Sequence, residues 1–296
     1  IIMDKKIFYS KILLFGEYGI MSNADALAIP FKEFHGSLKI SKSLLNDEEL
    51  SNQKLIELYN YIDKNQSLLN IINLNSFKHD IDSGLYFKSN IPIASGLGSS
   101  GALVSSIINK YSNTDLSIMN SEELKKIMSI IESKFHGKSS GFDPLVSFFN
   151  KPIMLSNGTI RLLDDIKFTD FKIYLVDSKT PSSTSDMIAL FNKKKNDKFF
   201  LNDFNKSFIS LTNECIYNLL NNSISFKDSI KNLSESTYIN MNEMIPESIK
   251  EIWQIGHKSD DYYIKLCGSG GGGFFLVFDF ENKLKDRLST FKLIEI

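Results

Sequence analysis

Arginine is nearly missing from this chain: of 34 basic residues, only Arg161 and Arg287 carry a guanidinium. A bidentate clamp on a ligand that already bears phosphate is therefore poorly provided for, because lysine grips phosphate only as a point charge. Cysteine is equally scarce. Cys215 and Cys267 lie far apart with no CxxC spacing, which excludes a thiolate metal site and fits a reducing compartment. The four histidines, His35, His79, His136 and His257, are scattered and offer no metal cluster. No apolar run is long enough to span a bilayer and the start has no signal-peptide layout, so a cytoplasmic protein is expected. Ile1 and Ile2 ahead of Met3 read as residues upstream of the natural start. A formal net charge of −1 argues against a nucleic-acid or anionic-membrane partner. The oligomeric state stays open, a homodimer included.

What is present is an ordinary globular composition, 42% hydrophobic and 23% charged over 296 residues, enough for two domains. Residues Lys5 to Leu14 and Ala26 to Ile40 are rich in β-branched and aromatic side chains and predict strands, the second broken at Pro30. Asn46 to Gln66 predicts an amphipathic helix, and Ser83 to Ile93 a strand. Asn120-Ser-Glu-Glu123 opens a further helix with a capping-box-like start, which Gly137 ends. Asn157-Gly158 between apolar flanks predicts a two-residue hairpin. Phe171 to Val176 reads as strand, Asp186 to about Ile255 is helical in period, and the chain closes with strands at Tyr262–Leu266 and Phe274–Phe280, a short helix near Lys283–Leu288, and the segment Phe291–Ile296. A mixed α+β protein in two halves is the expectation, with 3–167 as the phosphate-binding domain and 168–296 as the second.

Three stretches carry chemistry. The central one is Pro92-Ile-Ala-Ser-Gly96-Leu97-Gly98-Ser99-Ser100-Gly101, where a glycine-rich turn feeds an apolar helical run. Such a turn aims unpaired backbone N–H groups and the positive end of the helix dipole at one point, which suits a phosphate. The pattern also fits G-x-G-x-x-G of dinucleotide folds, or a plain helix cap. The dinucleotide reading lacks its acidic residue about twenty positions on, because Asn120–Glu123 reads as a helix start. Upstream, Lys11 sits in an apolar strand ahead of Gly16-Glu17, and by itself reads as a lysine snorkelling from a sheet edge. Downstream, Glu132 and Asp143 stand eleven positions apart. A carboxylate near a helix C-terminus is either solvated or held by a cation; Asp143 before Pro144 also reads as an N-cap. The last stretch, Gly268-Ser-Gly270-Gly-Gly-Gly273 between two strands, implies close packing or ligand approach.

Taken together and in this order, these stretches resemble the GHMP kinase superfamily over nearly the whole chain. Its first motif resembles Tyr9-Ser-Lys11 to Tyr18, its second Pro92 to Gly101, and its third Lys265 to Gly273. The segment Glu132 to Asp143 is most similar to the mevalonate kinase branch, with its His-Gly-x-Pro-Ser-Gly-x-Asp pattern. The resemblance implies a two-domain GHMP kinase fold, with an N-terminal half like ribosomal protein S5 domain 2 and a ferredoxin-like C-terminal half. It implies ATP- and Mg²⁺-dependent phosphorylation of a small-molecule alcohol, mevalonate first. In that picture Pro92 and the Gly96–Gly101 turn bind ATP, Ser100 and Glu132 hold Mg²⁺, Asp143 takes the hydroxyl proton and Lys11 assists it. Glu17, Tyr18, His136, Ser140, Gly141, Thr180 and Gly270 are the implied substrate contacts.

Four positions depart from the branch pattern. Tyr18 stands where histidine is usual, Ser139 replaces proline, and Gly101 and Ser269 each replace alanine. The last two read as small-for-small changes; the first two place the substrate in question. Phosphomevalonate kinase is a rival, against which the scarcity of arginine weighs. A sugar-type kinase or a non-catalytic metabolite-binding member are further alternatives.

Overall fold

The computed structural model describes residues 6–93 and 95–296, with Met21 and His136 described by backbone alone. The chain forms two units, one of residues 6–11, 30–93 and 98–151, the other of 12–29, 95–97 and 152–296. Helices and strands are mixed in each, giving an α+β fold with two sheets. One sheet runs in the order β1 (Phe8–Phe15), β2 (Ala26–Ile40), β4 (Ile153–Ser156), β5 (Thr159–Leu162), with β3 (Leu85–Ser89) also on β2; the other runs β7 (Tyr262–Leu266), β8 (Phe274–Asp279), β6 (Lys172–Asp177), β9 (Leu293–Glu295).

Strands β1 (Phe8–Phe15) and β2 (Ala26–Ile40) each give residues to both units. In the first unit, β3 (Leu85–Ser89) pairs antiparallel with β2, Gly36 opposite Ser89 and Ile40 opposite Leu85. Five helices complete it: α1 (Asn46–Asp63), α2 (Leu74–Asp82), α3 (Ser99–Tyr111), α4 (Ser121–His136) and α5 (Phe142–Phe149). Helix α3 is the central one. Ala102, Val104, Ile107 and Ile108 are wholly buried along it, as expected for a helix with apolar residues on most of its circumference. Its last residue, Tyr111, lies against Phe77 of α2 with ring centroids 4.7 Å apart. Helix α4 starts as its sequence predicts, with the Asn120 side chain accepting from the Glu123 N–H at 2.8 Å. It ends at Gly137, which has φ 71°.

In the second unit, β4 (Ile153–Ser156) pairs with Ala26–Ala28 of β2. The predicted hairpin joins β4 to β5 (Thr159–Leu162) through Asn157 at φ 49° and Gly158 at φ 78°, the paired left-handed residues of a type I′ turn. The second sheet contains β6 (Lys172–Asp177), β7 (Tyr262–Leu266), β8 (Phe274–Asp279) and β9 (Leu293–Glu295). Every residue of β7 and β8 is buried, which accounts for their largely apolar composition; the exceptions are Lys265 and Asp279. The helices of this unit are α6 (Thr184–Lys194), α7 (Lys198–Asp203), α8 (Ile209–Leu220), α9 (Phe226–Asn240), α10 (Glu247–Ser259) and the short α11 (Leu284–Arg287). Phe15, Phe171, Phe226 and Phe278 gather in its core, with Phe171 and Phe226 centroids 4.9 Å apart. Cys215 and Cys267 are both buried thiols. No helix among the described residues is long and apolar enough to cross a membrane.

Two strand expectations need correction. Pro30 does not break β2, because it falls between the stretch paired with β4, ending at Ala28, and the stretch paired with β3, starting at Gly36. No hydrogen bond of either of those ladders is lost there. The strand expected over Ser83–Ile93 is only Leu85–Ser89. Asn90 ends it by turning its side chain back to accept from the His35 N–H at 2.7 Å. The first residue of the expected opening strand, Lys5, lies outside the described residues.

Candidate active site

The first unit assembles one charged cluster. Lys11, on β1, is only 3% exposed, and its Nζ lies 2.8 Å from Asp143 Oδ2. A snorkelling surface lysine is therefore not what β1 carries. The aliphatic stem of Lys11 lies against Gly98, where an added methyl would come within 2.8 Å of Lys11 Cγ. Gly98 also has φ 77°, so its place needs glycine both for its backbone and for the space. Helix α3 starts immediately after it. Ala102 N–H donates to Gly98 O at 3.0 Å; the amides of residues 99–101 precede any carbonyl the helix could offer. The start of α3 is therefore the positive end of its helix dipole.

Glu132 is the buried carboxylate of this cluster, 3% exposed, which removes the solvated alternative. Ser100 Oγ donates to its Oε1 at 3.0 Å, and Ser139 Oγ donates to its Oε2. Burial pushes the Glu132 carboxyl up to about 7, with the Asp143 charge adding to the rise; the Ser139 and Ser100 hydroxyls and the Lys11 charge work against it.

Asp143 reaches this cluster by packing. It lies in the first turn of α5, whose N-cap is Gly141 at φ 72°, so Asp143 is not itself the cap. Ser105 Oγ on α3 donates to Pro144 O at 2.5 Å, and Ser147 Oγ on α5 donates to Tyr9 O at 2.5 Å. These bonds tie α5 to the helix that starts at the glycine turn and to the strand that carries Lys11. Gly101 permits the closest approach: a methyl there would lie 2.9 Å from both the Asp143 carbonyl carbon and the Pro144 nitrogen. Gly101 is therefore not an interchangeable small residue in this chain. Gly101→Ala is expected to cost about 1–3 kcal/mol through overpacking against backbone and to displace Asp143. Urea unfolding should show a midpoint below that of the wild type, and an unchanged midpoint would overturn this.

The second unit assembles a different group around the Gly268–Gly273 loop. Glu17, 5% exposed, pairs with Lys265 at 2.5 Å, and Lys265 also donates to Leu266 O at 2.7 Å. Tyr18 Oη donates to Ser269 O at 2.6 Å, and its ring stacks on Phe191 with centroids 4.3 Å apart. Tyr18 has φ 55° and ψ −37°, a strained backbone for an aromatic residue. Ser182 Oγ donates to Gly270 O at 2.6 Å, while Gly273 N–H donates to Thr180 O at 2.8 Å. The loop is thus laced by its carbonyls and one amide to Tyr18 and to the residues 180–182 that precede α6. Burial raises the Tyr18 phenol well above its ordinary value, so it remains a donor. Tyr18→Phe is expected to lower stability by about 0.5–1.5 kcal/mol, because the half-buried Ser269 carbonyl loses its donor; an unchanged urea midpoint would overturn this.

Of the residues singled out from sequence, Lys11, Gly98, Ser100, Gly101, Glu132 and Asp143 come together in the first unit. Ser99 lies beside them, Ser140 Oγ caps the Phe142 N–H at 3.2 Å, and Gly141 N–H donates to Ser139 Oγ at 3.0 Å. Pro92 is half-buried in the bend after β3. Gly96 and the buried Leu97 belong to the second unit, where a methyl on Gly96 would meet Cys267 O at 2.7 Å. His136 closes α4 by its backbone, and its side chain lies outside what is described. Sequence reasoning passed over Lys265 as the partner of Glu17, 248 positions away, and over Ser139 as a donor to Glu132. Only the position of Lys265, directly ahead of the last glycine run, hinted at the first.

The GHMP kinases N terminal domain family matches residues 60–151. The mevalonate kinase of Candida albicans is 26% identical over 219 residues, covering 64% of this chain and 51% of that protein. The mevalonate kinase of Thermococcus gammatolerans is 24% identical over 210 residues, covering 64% of this chain and 61% of that protein. The matches thus span between about half and three fifths of these relatives. Among solved structures, the Methanococcus jannaschii mevalonate kinase aligns over 100% of this chain and 98% of its own, with a TM-score of 0.67 at 17% identity. A Streptococcus pneumoniae phosphomevalonate kinase, solved with phosphomevalonate and AMPPNP, aligns over 99% of this chain and 100% of its own with a TM-score of 0.66 at 14% identity. The three motifs and these matches agree: residues 60–151 match the GHMP kinases N terminal domain, and the chain has the two-sheet α+β fold of the GHMP kinases.

Proposed function

We propose that this protein transfers the γ-phosphoryl group of ATP to a hydroxyl of a small-molecule alcohol, with mevalonate the first candidate. The observation that carries the reading is the pairing of buried Lys11 with half-buried Asp143, 2.8 Å apart, in the same unit as the start of α3 and the Ser100–Glu132 pair. Phosphoryl transfer asks mainly for positioning and for charges placed against developing charge, and this set supplies both.

Asp143 accepts the proton of the acceptor hydroxyl as its oxygen forms the new bond to phosphorus and the bond to the ADP oxygen breaks. Lys11 holds the Asp143 carboxylate in place and faces the negative charge that gathers there. The first-turn amides of α3 hold phosphate oxygens. Ser100 and Glu132 fit a magnesium ion, which when bound neutralises phosphate charge. The fit rests on Glu132, a carboxylate held by two hydroxyls and pushed up to about 7 by burial. Such a group gains from a cation. Magnesium prefers a sparse oxygen set completed by water and phosphate.

The mevalonate assignment draws on the mevalonate kinase relatives and on the shortage of arginine, which suits an acceptor carrying no phosphate. A coupled ADP-release assay with Mg-ATP against mevalonate, 5-phosphomevalonate, homoserine and galactose tests it. Turnover on mevalonate alone is expected. Turnover on another of the four moves the substrate and keeps the chemistry; none on any of them favours a metabolite-binding protein.

A further inference from the structure

Ser139 occupies the place where the mevalonate kinase branch pattern has proline, and in this chain its hydroxyl is engaged twice. It donates to Glu132 Oε2 and accepts from the Gly141 N–H at 3.0 Å. The Gly141 bond occupies an acceptor site on Oγ, while the hydroxyl proton is directed at the carboxylate. Two further bonds hold the residue by its backbone. Its N–H donates to Ser133 Oγ at 3.1 Å, and its carbonyl accepts from Ser129 Oγ at 2.6 Å. Both serines sit on α4, the helix that carries Glu132. Ser139 is therefore fixed before it touches the carboxylate, and it links that carboxylate to Gly141, two residues ahead of Asp143.

The two oxygens of Glu132 are differently placed. Oε1 faces Ser100 at the start of α3, while Oε2 is gripped by Ser139 on the far side of the carboxylate. A cation shared by Ser100 and Glu132 would be taken up at Oε1, exchanging the direct Ser100 bond for a metal contact. Oε2 would keep its hydroxyl donor throughout. Partners of this kind, bonded to a ligand but not to the metal, hold the ligand's orientation, and losing one typically weakens metal affinity 10–100-fold.

We propose that Ser139 is a positioning residue for the divalent cation: it fixes Glu132 through Oε2 so that Oε1 and Ser100 can share the ion. This rests on the kinase reading above. A proline at 139 would lack both the hydroxyl and the N–H that donates to Ser133, so this chain holds its carboxylate by a device the branch pattern does not contain.

The test is Mn²⁺ binding to the full-length protein in the presence of a non-hydrolysable ATP analogue, read by electron paramagnetic resonance. Urea unfolding run in parallel certifies the fold of each variant. Ser139→Ala is expected to raise the Mn²⁺ dissociation constant about tenfold or more, and Ser139→Thr, which retains the hydroxyl, to restore it to within about threefold. Should Ser139→Ala be folded and bind Mn²⁺ as tightly as the wild type, this inference is overturned and the kinase reading stands. Equal weakening by the threonine variant also overturns it, since the hydroxyl would then not be the operative group. A wild-type protein that takes up no Mn²⁺ with the analogue overturns the kinase reading and this inference together.

Discussion

Replacing Asp143 by alanine is expected to lower phosphoryl transfer by about 10²–10⁴-fold, the usual contribution of a positioned general base, while nucleotide binding persists. On the proposed reading the nucleotide phosphates sit at the start of α3 and not on the Asp143 carboxylate, so a fluorescent ATP analogue should titrate with a dissociation constant within a few-fold of the wild type. Stability should also fall. Lys11 is 4% exposed along its side chain, and it loses the opposite charge at 2.8 Å that offset its burial. Breaking a buried pair from one side costs about 3–5 kcal/mol; the Asp143 side chain is 33% exposed, and solvent screening brings the expectation to the lower end or below. Asp143→Asn keeps the volume and the first turn of α5, so it separates the two effects: transfer should still be lost while much of the stability returns. Near-normal turnover in either variant would remove Asp143 as the base.

Glu132→Gln is expected to have opposite effects on metal dependence and on metal-free stability. The carboxamide keeps the shape of the side chain and its capacity to bond Ser100 and Ser139, but it removes the charge a magnesium ion needs. The Mg²⁺ concentration for half-maximal turnover should therefore rise at least tenfold, and an unchanged magnesium titration would sink the assignment. Stability moves the other way for a reason that can be signed. The carboxyl titrates near its ordinary 4.5 when unfolded and is pushed up to about 7 when folded. Below about pH 4.5 it is protonated in both states and contributes no pH dependence. Between about 4.5 and about 7 the unfolded chain releases the proton while the folded protein retains it, so stability falls as pH rises. Above about 7 both are ionised and the full cost, on the order of 3 kcal/mol, is in place. Glutamine has no such term. With chelator present, urea unfolding should show the stability of Glu132→Gln relative to wild type improving from pH 5 to pH 8. Parallel pH profiles would contradict the burial of a titrating carboxyl at this position.

Several of these positions were open to sequence reasoning because their signals are local. The α4 start at Asn120, its stop at Gly137 and the Asn157-Gly158 hairpin each depend on a few consecutive residues, and each appears in the fold. The candidate site was legible in its residue types, since a glycine turn, a lysine and two carboxylates in a recognisable order name a chemistry. Its physical state was not. Whether Lys11 is a surface lysine or a buried partner of Asp143 depends on β1 and α5, joined through Ser147 and Tyr9 across 138 positions. The role of Gly101 was equally hidden, since an alanine there is excluded by the backbone of Asp143 and Pro144 and by nothing in its own sequence neighbourhood.

The amino-acid sequence by itself determined the α+β class and the placing of most helices, because periodicity, caps and glycine turns act over a few residues at a time. Only the tertiary structure decided which polar groups are removed from water and who satisfies them. It paired Glu17 with Lys265, locked Tyr18 to the Ser269 carbonyl, and set Ser139 on the carboxylate of Glu132. The physical reason is that a buried charge or hydroxyl must find a partner wherever packing brings one, and that partner is chosen by the fold rather than by distance along the chain.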